Sequence, residues 1–126
     1  MPSTRASSRM PVGVAVALDV ALVVLFAAVG RASHEEGDAL RGVLLTAWPF
    51  VAGAVVGWVL VRLLSHRWPV DVGPGISVVL CTVLVGMLLR VVTGQGTAPT
   101  FVLVATLVLA VLLLGWRFAA SRVGSR

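Results

Sequence analysis

Residues 12–30 read Val-Gly-Val-Ala-Val-Ala-Leu-Asp-Val-Ala-Leu-Val-Val-Leu-Phe-Ala-Ala-Val-Gly, an apolar run interrupted by one charge, Asp19. A helix needs about 20 mostly apolar residues to cross a hydrocarbon core of roughly 30 Å, and this run nearly meets that length. Three more runs of the same kind follow at 43–61, 72–89 and 101–116, separated by short polar links. The expected fold class is therefore all-α, an integral membrane bundle of four transmembrane helices arranged as two helical hairpins. Helices are predicted at 12–30, 42–64, 74–92 and 99–119, in a transmembrane domain of residues 11–120. A disordered basic N-terminal tail, 1–10, and a basic C-terminal tail, 121–126, flank it.

Arg5 and Arg9 ahead of the first run, with Ala28-Val29-Gly30 at its end, imitate a secretory signal. A signal core usually has about 7–15 apolar residues, and Asp19 would put a charge inside it, so the run is expected to remain as a first membrane helix.

Composition points the same way. Of the 126 residues 59% are hydrophobic, and the mean hydropathy of +1.05 is too apolar for a domain with a hydrated surface. Lys, Asn and Tyr are absent and Ile76 is the sole isoleucine. Those residues have AT-rich codons, so a GC-rich bacterial genome is the expected source. The net charge of +5 comes from arginines scattered at helix ends, and no groove-reading motif accompanies them. Anionic headgroups, not nucleic acid, are the expected contacts. Cys81 is the lone cysteine, which excludes an intramolecular disulfide.

Four crossings place Arg5, Arg9, Arg62, Arg67, Arg117, Arg122 and Arg126 on the side of the termini and the middle link, against Arg31, Arg41 and Arg90 on the other. Basic residues near helix ends favour the cytoplasm, which predicts both termini inside and a multi-pass protein of the cell (inner) membrane. Ser33-His34-Glu35-Glu36-Gly37-Asp38 then forms the first outer loop. Trp68-Pro69 and Gly73-Pro74-Gly75 break the chain between the second and third helices. Gly94-Gln95-Gly96-Thr97-Ala98-Pro99 makes the second outer turn, with Thr97 as N-cap and Pro99 in the first turn of the last helix.

Asp19 is the candidate working residue inside the membrane. At 1.5 Å rise per residue it stands about 12 Å from Pro11 and about 18 Å from Arg31. A carboxylate there costs roughly 2.5–3.5 kcal/mol on insertion scales and should face the bundle and find a partner, with Thr82 or Thr106 at similar depth. One reading is an ion- or proton-linked acid. The other is an acid that ties two helices by a hydrogen bond worth about 0.6–2 kcal/mol, in which case Asp19→Leu should behave normally where Asp19→Asn does not. Arg90 lies too near the outer end to reach Asp19, an axial gap of about 12 Å, and is expected to snorkel or to pair with Glu35, Glu36 or Asp38. Arg31, His34, Glu35, Arg90 and Gln95 make up a candidate outer polar site able to attract an anion.

On the second helix Gly42, Thr46, Pro49, Gly53, Gly57 and Leu60 share one face. Small residues on one stripe let another backbone approach closely, within the bundle or in a homo-oligomer through this helix. Pro49 either begins the helix or lies inside it and frees the carbonyl of Leu45. Trp48 and Phe50 toward the outer side, and Trp58, Trp68 and Trp116 toward the inner side, read as interfacial belts.

Hydrolytic and phosphate-binding motifs are absent from the sequence, so no enzyme activity and no cofactor are expected. Neighbouring His34, Glu35 and Glu36 rarely converge on one ion, and His66 lies on the opposite face, so no metal site is expected either. Two classes of function stand: a small transporter or channel subunit using Asp19 and the outer polar site, or a non-catalytic membrane component that packs against partner proteins or lipids.

Gly30-Arg31-Ala32-Ser33-His34, Thr46-Ala47-Trp48-Pro49-Phe50 with Gly53 and Gly57-Trp58, and Gly86-Met87-Leu88-Leu89-Arg90 leading into Gly94-Gln95-Gly96-Thr97-Ala98 resemble a known set. They are similar to an uncharacterised family of small four-helix integral membrane proteins of actinobacteria and haloarchaea, a domain of unknown function. The resemblance extends from about Leu18 to Trp116. It implies the four-helix fold and a bacterial inner-membrane location, and it implies no activity. Members often carry a second basic residue where this chain has Ala32, a departure that weakens any mechanism needing paired outer charges.

Overall fold

The structure, a computed structural model, describes residues 10–32 and 39–124. These residues form four helices, α1 (Val12–Ala32), α2 (Ala39–Ser65), α3 (Val72–Val92) and α4 (Pro99–Gly124). Each contains a stretch long and apolar enough to cross a membrane. Between 22% and 39% of each span's most apolar window is buried inside the bundle, so most of this apolar surface faces outward, as hydrocarbon permits and water does not. The helices pack in a ring: α1 on α2, α2 on α3, α3 on α4, and α4 back on α1. Helices α2 and α4 are longer than expected. Helix α2 begins three residues earlier than 42, and α4 continues to Gly124, through most of the stretch assigned to a C-terminal tail.

The helix ends follow local chemistry. Pro99 opens α4, where its missing N–H costs nothing, and Val102 N donates to Ala98 O, so Ala98 takes the cap position expected of Thr97. Helix α3 ends in a Schellman turn: Gln95 N donates to Arg90 O and Gly94 N to Val91 O, with Gly94 at φ 80°. Helix α2 ends differently, because His66 adopts a left-handed φ of 61° without being glycine and turns the chain over its own last carbonyls.

The small-residue face of α2 is filled by α3 of the same chain. A β-carbon at Gly53 would stand 2.7 Å from Thr82 O, and one at Gly57 would stand 3.0 Å from Val78 Cα. Gly42 and Pro49 are buried with them, Thr46 is half-buried, and Leu60 falls off the stripe, exposed. A second copy would have to dock on another face, because this groove is already occupied. Pro49 lies inside α2, not at its start.

Buried aliphatic side chains, among them Val23, Val78, Leu109 and Leu113, form the core of the bundle together with two more specialised groups. Toward the end away from the termini Phe26 of α1 meets Phe50 of α2 edge-on at 5.5 Å between centroids, and Phe101 of α4 completes the group at 6.4 and 6.2 Å. Helix α3 contributes Gly86, whose missing side chain makes room for the Phe50 ring. Phe50 is thus core and not an interfacial belt residue. Toward the other end the filling is charged.

Candidate functional site

Asp19 and Arg117 are both fully buried and form a two-pronged ion pair. Arg117 Nη1 donates to Asp19 Oδ1 at 2.9 Å and Nη2 to Oδ2 at 2.7 Å. Trp116 Nε1 donates to Oδ1 at 2.7 Å, and Trp58 Nε1 donates to Oδ2 at 2.8 Å. Each carboxylate oxygen therefore accepts two hydrogen bonds, which fills the acceptor capacity of the group. The guanidinium is equally occupied. Its remaining donors reach Pro69 O from Nε at 3.1 Å and from Nη2 at 2.8 Å, and Leu113 O from Nη1 at 2.9 Å. Burial of a charge in hydrocarbon is tolerable only when it is paired and hydrogen-bonded to this degree.

The helices converge on the pair at one depth. Asp19 is seven residues from the start of α1, Trp58 seven from the end of α2, and Arg117 seven from the end of α4. Each is thus about 10 Å inside its helix end. Helix α3 contributes Gly75, against which the Arg117 stem lies. The link between α2 and α3 is held through Pro69 O. Hydrogen bonds of this cluster thereby join α1, α2, α4 and the α2–α3 link, and α3 packs against the Arg117 stem.

Asp19 faces the bundle as its cost in hydrocarbon demands, but its expected partners are replaced. Thr82 Oγ1 donates to Val78 O at 2.6 Å and Thr106 Oγ1 to Val102 O at 2.7 Å, so each hydroxyl is satisfied by its own helix. Arg117, read as a surface charge, is the true countercharge, and Trp58 and Trp116 are ligands of the carboxylate. Trp48 and Trp68 stay exposed, where a belt would put them. A signal for the missed residues existed in the spacing: a helix reaching 124 sets Arg117 and Trp116 at the depth of Asp19. A helix ending at 119 hides it.

The end of the bundle away from the termini is closed by a smaller polar knot. Arg90 donates from Nε to Gly96 O at 2.8 Å and from Nη1 to Gln95 Oε1 at 3.1 Å, and its Cζ lies 4.4 Å from the Phe101 ring centroid. Gln95 Nε2 reaches Leu45 O at 3.4 Å, the carbonyl that Pro49 leaves without a helical donor. Of the proposed outer site, Arg90 and Gln95 are brought together. The backbone of Arg31 lies in the last turn of α1, while His34, Glu35, Glu36 and Asp38 fall outside the described residues.

These features define a polytopic α-helical membrane protein organised around an internal ion pair. The chain belongs to the DUF3054 family, described as a protein of unknown function, whose model matches residues 16–120. Asp19, Trp58, Trp116 and Arg117 all fall within the matched range. No curated protein and no solved structure matches the chain.

Proposed function

We propose that this protein is a non-catalytic component of the bacterial inner membrane, which works through contacts of its outward faces with lipids and partner proteins. The observation that carries the reading is the saturation of Asp19. A carboxylate that takes up and releases a proton or cation needs an open acceptor position, and here four donors from Arg117, Trp58 and Trp116 hold every position. The acid clamps helices. A transporter built on Asp19 would have to break that clamp in each cycle.

Proteoliposomes with an imposed pH gradient and an internal pH dye test the reading. Proton flux should not depend on Asp19, and Asp19→Asn should lose assembly. A wild-type flux abolished by Asp19→Asn in a protein that stays folded would overturn it in favour of the transporter.

Both termini are assigned to the cytoplasm. Burial withdraws Arg117 from the charges that decide orientation, yet Arg5, Arg9, Arg62, Arg67, Arg122 and Arg126 still outnumber Arg31, Arg41 and Arg90. Reporter fusions at either end should be active only inside the cell, and activity confined to the outside would reverse the assignment.

A further inference from the structure

We propose that the groove between the terminus-side ends of α2 and α3 binds a phospholipid with an anionic headgroup. This deepens the reading above and rests on its claim that the protein acts through lipid contact. The groove encloses about 820 Å³, within the range of roughly 300–1,000 Å³ typical of small-molecule sites. Its walls are apolar side chains of two membrane helices, chiefly Leu60 and Leu64 of α2 and Leu80 of α3. These leucines are exposed, at 41%, 81% and 54%, so the walls open toward the hydrocarbon in which acyl chains lie.

The mouth has the opposite character. The left-handed turn at His66 carries His66, Arg67 and Trp68 across the end of the groove. Arg62 is fixed there: Nη1 donates to His66 O at 2.5 Å, and its Cζ lies 5.1 Å from the Trp68 ring centroid. The Arg67 side chain is exposed and makes no hydrogen bond or ion pair with any described residue. The one acid at the mouth among the described residues, Asp71, caps α3 without a side-chain bond to the helix. Two arginines against one aspartate leave an excess of one positive charge, above an apolar cleft at the membrane boundary. That division matches an anionic phospholipid: phosphate and headgroup at the arginines, acyl chain against the leucines. A free phosphate would use the mouth alone and leave the cleft unexplained.

Native mass spectrometry of the full chain in detergent, titrated with dioleoyl phosphatidylglycerol and dioleoyl phosphatidylcholine, tests the site. Phosphatidylglycerol should bind about fivefold more tightly, as one net basic charge near the surface implies. Arg67→Gln should bring the two lipids to parity, and Asp71→Asn should raise the preference about fivefold further. Both positions are exposed, and unchanged thermal unfolding is expected for both variants. Equal binding by the wild type, or a preference that survives Arg67→Gln and ignores Asp71→Asn, would overturn the proposal. Binding of glycerophosphoglycerol, the headgroup without acyl chains, as tightly as the lipid would overturn it too. None of these results bears on the Asp19 clamp, which the proton-flux measurement judges by itself.

Discussion

Gly75 of α3 lies against the side chain of Arg117, so closely that a β-carbon there would stand 2.5 Å from Arg117 Cδ and 2.7 Å from its Nε. The stem cannot swing aside freely, because its guanidinium is held on one side by Asp19 and on the other by Pro69 O. Gly75→Ala should therefore act through the ion pair. Overpacking of this kind costs about 1–3 kcal/mol, and a lowered unfolding temperature in detergent should reveal it. An unchanged unfolding temperature would mean that the guanidinium tolerates displacement and that the clamp is looser than its hydrogen bonds imply.

Removal of one partner should be worse than removal of both. Asp19→Asn or Asp19→Leu leaves the Arg117 charge buried without its counterion, a loss of about 3–5 kcal/mol for pairs of this kind. The normal behaviour expected of Asp19→Leu against a neutral partner thus no longer holds, because the partner is charged. The double variant Asp19→Leu/Arg117→Leu carries no orphan charge and should be more stable than either single variant. Unfolding free energies for the four proteins measure the coupling. Simple additivity would show that Asp19 and Arg117 do not hold one another.

The architecture was largely legible because hydrocarbon imposes a simple rule on length and polarity. The four spans and the inward face of Asp19 follow from it, while the close approach at Gly53 and Gly57 and the turn at Gly94 were legible from the small size and backbone freedom of glycine. What lay hidden was relative rotation between helices and the true length of α4. Arg117 shares its end of the chain with Arg122 and Arg126, and at the edge of a helix thought to end at 119 it looks like one more orienting charge. Trp58 and Trp116 have the chemistry of belt residues, and only their rotation toward Asp19 makes their indole N–H groups into ligands. Gln95 looked like part of a turn, and its bond to Leu45 O depends on how two hairpins sit against each other.

That bond makes Gln95 and Pro49 energetically dependent. Pro49 removes the N–H that would serve Leu45 O, and Gln95 Nε2 supplies a substitute from the α3–α4 turn. Gln95→Leu should cost about 0.5–1.5 kcal/mol for each hydrogen bond lost, with the bond to Arg90 included. In a Pro49→Ala background the substituted residue regains a backbone N–H that can serve Leu45 O, and the same change should cost less. Thermal unfolding of the wild type, both singles and the double tests this, and equal costs in the two backgrounds would place Leu45 O outside the interaction.

Alanine substitutions along the glycines should separate contact from intrinsic helix preference. At Gly53 the new β-carbon would strike Thr82 O at 2.7 Å and Cys81 O at 2.8 Å, both backbone atoms, so α2 and α3 must move apart. At Gly57 the nearest atom is Val78 Cα at 3.0 Å, followed by the Cys81 β-carbon at 3.1 Å, a tighter than ordinary contact that small shifts can relieve. At Gly115, in α4, nothing lies within 4 Å. Gly53→Ala should therefore destabilise most, by about 1–3 kcal/mol, and Gly57→Ala less. Gly115→Ala should gain up to about 1 kcal/mol, because alanine gives up less chain entropy in a helix than glycine. The order is read from unfolding temperatures in one detergent. If Gly53→Ala proved as mild as Gly115→Ala, the close α2–α3 contact could not be what holds these two helices together.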